Sequence, residues 1–154
     1  MGIISGDCVE KKNIDSVFVS ALYYGINKAI INVMGTGGMV LGRRTSHEMV
    51  GLLKDMGIIK DSMTDEEIKN LFSNTFGLSE DLIITENNDE VIFEVVNPTL
   101  DLFLKKMMEE RIEPYVCPFI HLLSTIYTET RDCNLMLRQV IPENDRAKII
   151  FKKI

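Results

Sequence analysis

The stretch Leu82-Ile83-Ile84-Thr85-Glu86-Asn87-Asn88-Asp89-Glu90-Val91-Ile92-Phe93-Glu94-Val95-Val96 decides the fold. Both of its ends are runs rich in β-branched residues. Its polar middle, Glu86 to Asp89, has the composition of a turn, so the segment predicts a β-hairpin. Upstream of it the spacing is helical. Asp15-Ser16 reads as a helix start, and Phe18, Ala21, Leu22, Ile26, Ala29, Ile30 and Val33 recur at intervals of three and four up to Met34. That is an amphipathic helix with a broad apolar face. Gly35-Thr36-Gly37-Gly38 stops it. A second helical pattern runs from Met39 to Met56 through Leu41, Met49, Leu52 and Leu53, with Gly57 at its C-terminal cap. Thr64-Asp65-Glu66-Glu67 is a capping box that opens a third helix carrying Ile68, Leu71, Phe72 and Phe76, ending at Gly77.

Downstream, Asn97-Pro98 ends the hairpin. Leu100, Phe103, Leu104, Met107 and Met108 mark a helix to about Arg111, and an extended link follows from Ile112 to Val116. Pro118 suits the first turn of a helix reaching Thr130. Asn134 to Ile141 and Arg146 to Ile154 form a second hairpin around Pro142-Glu143-Asn144-Asp145. The first fourteen residues read as a short strand or an ordered arm. The expectation is an α+β domain in the order ααα-ββ-αα-ββ, with an antiparallel sheet of about four strands packed with about five helices. No linker divides residues 1–154, which read as a single domain.

The chain is acidic, with a formal net charge of −6, which argues against a general nucleic-acid binder. No uninterrupted apolar run approaches the ~18 residues of a membrane span, and no basic region precedes an apolar stretch at the N-terminus, so no signal peptide is expected. Three widely spaced cysteines, Cys8, Cys117 and Cys133, do not make a disulfide scaffold and point to a cytoplasmic protein with reduced thiols.

Cys117-Pro118-Phe119-Ile120-His121 is the sharpest chemical constellation. Cys117 and His121 are four apart and could share a helical face. With Cys133 they make a candidate three-ligand metal set, of the kind that holds zinc with a water. Alternatively, a thiol at a helix N-terminus is acidified and reactive. The competing reading makes Cys117 a small buried hydrophobe. The glycine cluster at Gly35 to Gly42 lacks both the dinucleotide fingerprint and the phosphate-loop ending. His47-Glu48 has no nucleophile nearby in sequence, and two histidines assemble no triad. Nine methionines and no tryptophan suit an adaptable apolar interior.

The run Glu113-Pro114-Tyr115-Val116-Cys117-Pro118-Phe119-Ile120, followed by a terminal hairpin ending Ile149-Ile150-Phe151, resembles the vinyl-4-reductase-like (4VR, hydrocarbon-binding) domain family. The motif covers residues 113 to 154; upstream, the agreement is in the order of elements. Cys117 matches the family's cysteine at the head of the helix, whereas Val140 and Lys148 stand where its hairpin cysteines fall, and Asn144-Asp145 replaces the usual Gly-Asp. The resemblance implies a stand-alone methanogen member with the fold shared by TRAPP tethering subunits and haem nitric-oxide sensor domains. Haem is not expected.

Together these readings lead to a binding module rather than an enzyme. It would hold an apolar or lipid-like small molecule between helices and sheet, with Phe103, Met107, Tyr115, Cys117, Phe119 and His121 at the mouth and wall. The alternatives are a homodimeric interaction protein that buries its first two helices, and a metal-dependent enzyme using Cys117 and His121.

Overall fold

Asp15 accepts a hydrogen bond from the Val17 amide at 2.7 Å and starts helix α1, Ser16–Met34. This computed structural model describes residues 13–154. Cys8 and the expected N-terminal arm, save Asn13 and Ile14, lie outside the described residues. Gly35, with φ 57°, takes the left-handed backbone that ends α1, and a single 3-10 turn, Gly35–Gly38, leads into α2, Met39–Asp55. Gly57 closes the next turn with φ 75°.

Thr64 caps α3, Asp65–Asn70, by accepting from the Glu67 amide at 3.2 Å. The expected return bond of the capping box is not made, because Glu67 takes Lys60 at 3.2 Å instead. A π-helical turn, Leu71–Thr75, extends α3 toward Gly77. Then come β1, Ser79–Glu86, and β2, Glu90–Pro98, joined by a turn in which Asn87 Oδ1 accepts from the Asp89 and Glu90 amides. Helix α4 is Asp101–Glu109. Pro118 opens a π-helical turn, Pro118–Leu122, that runs into α5, Leu123–Arg131. Strands β3, Leu135–Pro142, and β4, Arg146–Lys153, complete the fold.

All strand pairs are antiparallel, and the sheet order is β1-β2-β4-β3. The architecture is therefore α+β with the ααα-ββ-αα-ββ order that the periodicities predict. Alternation along the strands sends Leu82, Val91, Phe93, Val95, Ile149 and Phe151 into the core. There they meet Phe72, Phe119, Leu123, Ile126 and Tyr127 from the helices. Phe93 stands edge-on to both Tyr127 and Phe151, with ring centroids 5.4 and 5.7 Å apart.

Helix α1 departs from the ordinary amphipathic plan. Its fully buried residues are Ser20 and Asn27, while Phe18, Leu22, Ile26 and Val33 face outward. The helical run Ser16–Asp55 also contains an 18-residue window of mean hydropathy 1.3, apolar enough by length and composition to cross a membrane. This differs from the sequence expectation, which counted uninterrupted apolar residues. An averaged window tolerates the serines, tyrosines and asparagines of α1.

Helix α2 lies tight against the link before α5. A side chain at Gly42 would collide with the Tyr115 carbonyl, and one at Gly38 would collide with Ile30 and the Tyr115 ring. Gly51, on the same helix, has open space around it. Gly42→Ala is expected to lose about 2–3 kcal/mol in urea unfolding through overpacking. Gly51→Ala should gain about 0.8 kcal/mol from helix propensity. Equal effects of the two substitutions would contradict this packing.

Candidate functional site

The link 112–117 is held by one side chain. Asn27 Nδ2 donates to the carbonyls of Tyr23 and Val116, both at 2.8 Å, and Asn27 Oδ1 accepts from the amides of Tyr115 at 2.7 Å and Val116 at 2.9 Å. The amide thus uses all four of its hydrogen-bonding positions. This clamp fixes Tyr115 beside α2 and delivers Cys117 to the head of α5.

A groove of about 550 Å³ opens where α2, the link, α5 and the second hairpin converge. Met39, Tyr115, Ile120, Leu135, Leu137 and Phe151 form apolar wall. Arg43, His47, Glu113, His121, Ser124, Thr125 and Thr128 add polar groups. The size falls in the usual range for small-molecule sites, ~300–1,000 Å³. Ser124 and Thr125 both donate their hydroxyl protons to the His121 carbonyl, at 3.1 and 2.7 Å, leaving oxygen lone pairs free. His47 meets Glu129 at 2.9 Å rather than its neighbour Glu48, which pairs with Arg44 at 2.7 Å. Glu129 is also 3.5 Å from Lys54. The guanidinium of Arg43 has no carboxylate within ion-pair distance among the described residues.

His121 and Cys117 start the same helical turn and meet opposite fates. His121 Nδ1 is buried without a hydrogen-bond partner among the described residues. Burial, aided by the nearby charge of Arg43, pushes its pKa down to about 4. The ring is therefore neutral at physiological pH, with one nitrogen that donates and one that accepts. Cys117 is 2% exposed. Desolvation pushes its thiol up to about 11, outweighing the backbone hydrogen bonds from Ile120 and Phe119 that favour the thiolate. The expectation of an acidified, reactive thiol is corrected on this ground: the helix N-terminus acts, but the apolar surroundings act more strongly.

Of the six residues read from the sequence as mouth and wall, the structure brings Tyr115 and His121 to the groove. Phe103, Met107, Cys117 and Phe119 are buried in the packed core. The Phe103 ring is tilted against Tyr23 with centroids 5.5 Å apart, and Phe119 stands edge-on to Phe72 at 5.9 Å. The proposed metal set is not assembled. Among the described residues, no group of three His, Cys, Asp or Glu side chains is gathered for a metal. Cys133 follows the far end of α5, about 15 Å along the helix from His121 at 1.5 Å per residue. Arg43 is the groove residue that sequence reasoning missed. Within the second helical pattern it has the look of any solvated arginine, and only the fold places it next to His121.

Charging His121 is disfavoured in the folded state, so its contribution to stability is full above pH 6.5 and is lost as the pH falls toward 4. Between pH 7 and 4.5 the wild type should lose about 2–3 kcal/mol more than His121→Gln in urea unfolding. Parallel pH profiles for the two proteins would contradict a buried neutral imidazole.

No protein-family model matches the chain, and no solved structure matches it. Over 154 residues it is 65% identical to the uncharacterized protein MJ0758 of the archaeon Methanocaldococcus jannaschii, with 99% of this chain and 97% of that protein covered.

Proposed function

The chain belongs to the family of the archaeal protein MJ0758, and we propose that it is a binding module for a small amphipathic molecule held in the groove between α2, α5 and the second hairpin. The observation that carries this reading is the pairing of an apolar wall with two unpartnered polar groups, the guanidinium of Arg43 and the buried Nδ1 of His121. A buried polar atom without a partner costs about 1–3 kcal/mol, and a ligand headgroup that reaches His121 recovers part of that cost. Arg43 supplies charge for an acidic head. Met39, Ile120, Leu135 and Phe151 supply surface for an apolar body, at about 25 cal/mol per Å² buried.

The anchor is non-covalent. Cys117 is buried in the core and does not line the groove, and its thiol stays protonated at neutral pH. The resemblance of residues 113–154 to hydrocarbon-binding domains supports the same reading, and we extend it to the proposal that the chain is a 4VR-like protein.

Titration with dodecanoate and with dodecanol, followed by calorimetry and native mass spectrometry, tests the reading. The expected result is a one-to-one complex with dodecanoate that weakens about tenfold or more in Arg43→Gln, the loss typical of one charge-assisted hydrogen bond. Dodecanol should bind more weakly than dodecanoate and be indifferent to that substitution. Absence of binding by either compound, or equal binding by wild type and Arg43→Gln, would overturn it.

A further inference from the structure

We propose that α1 is the interface of a homodimer, paired antiparallel with the α1 of a second copy through a seam of Ala21, Gly25 and Ala29 framed by Phe18, Leu22, Ile26 and Val33. The first support is area. Val17, Phe18, Leu22, Ile26, Val33 and Met34 are 38–82% exposed. With Ala21, Gly25 and Ala29, which are exposed on the same helix, they offer on the order of 800 Å² of largely apolar surface, which matches the ~800 Å² that each partner buries in a standard interface. That exceeds the largest apolar patch of a typical monomer, ~300–600 Å².

The second support is Gly25. It sits in the middle of α1 with an ordinary helical backbone, and a side chain there would meet nothing within 4 Å. Glycine inside a helix weakens it relative to alanine, and nothing within the described residues repays that cost. A second helix crossing at Gly25 does, because small residues let two backbones approach closely. Ala21 and Ala29 lie one turn before and one turn after it on the same face. Gly25 is also the midpoint of Ser16–Met34, so a twofold axis there sets Ala21 of one copy against Ala29 of the other, the self-complementary arrangement of an isologous dimer.

Charge favours a protein over a lipid surface as the occupant. Lys28 is the sole charged residue of α1, it pairs with Glu110 at 3.4 Å, and the chain carries a net charge of −6. A helix lying on an anionic bilayer instead has a basic polar face; the polar face of α1 is docked inward through Asn27. This proposal is independent of the groove.

Sedimentation equilibrium of the full chain, with flotation on phosphatidylglycerol vesicles, tests it. The expected result is twice the 17.5 kDa chain mass at micromolar concentration, and dissociation at least ~100-fold weaker in Gly25→Leu from overpacking of the seam. Circular dichroism and the melting of the dissociated Gly25→Leu chain should show an intact fold. A wild-type monomer at micromolar concentration would overturn the proposal, as would a Gly25→Leu dimer as tight as wild type. Flotation of the wild type that strengthens in Gly25→Leu would do so too, since added apolar area helps a membrane contact and harms a close helix pair.

Discussion

One buried amide, that of Asn27, sets the plan of the molecule. The link 112–117 has no regular secondary structure, so its backbone groups find no partners in a ladder of their own. Asn27 supplies three of them, the two amides and the carbonyl at Tyr115 and Val116, and ties off with the Tyr23 carbonyl. A residue that could not make these bonds would leave buried backbone groups unpaired at about 1–3 kcal/mol each. The consequence for α1 is an inversion. Its inward face carries the polar clamp, with Ser20 and Asn27 fully buried and Val19, Tyr23 and Tyr24 packed against the core, while Phe18, Leu22, Ile26 and Val33 are left outside. Surface helices ordinarily do the reverse.

The same clamp positions the groove. It brings Tyr115 against Gly38 of the 3-10 turn and Gly42 of α2, where no larger residue fits without a shift, and it fixes where the chain turns into α5. From that point the geometry separates two residues that the sequence sets four apart. Cys117 enters the core and is held as a neutral thiol. His121 lines the groove, and its Nδ1 is buried without a hydrogen-bond partner among the described residues. Burial acts on both, and it raises the pKa of the acid and lowers that of the base. The burial of Cys117 removes its thiol from surface chemistry, and no third ligand is gathered with the pair for a metal among the described residues; non-covalent recognition is the reading we propose.

Much of the fold was legible because its signals are local. Asn87 forms the first hairpin turn through its own side chain, Gly35 and Gly77 end helices by backbone conformation, and Thr64 caps α3. What was not legible depends on which way a helix faces. The spacing of Phe18, Leu22, Ile26 and Val33 declares an apolar face but not whether the core or a second surface covers it. Likewise, Phe103, Met107 and Phe119 have the composition of cavity lining and of packed core alike, and the fold places them in the core. Arg43 carries no sign in sequence that distinguishes it from Arg44. The capping box was half legible: Thr64 had only a local backbone partner to choose, whereas Glu67 had Lys60 within reach as a competitor.

The account stands or falls on the Asn27 clamp, and amide hydrogen exchange at Tyr115 and Val116 tests it most directly. Both amides lie in an irregular segment, where exchange is ordinarily fast. Held by Asn27 Oδ1, they should exchange as slowly as the central strand amides of Val91 and Phe93. Exchange at the rate of exposed loop amides would contradict the clamp, and with it the placement of α1 and of the groove.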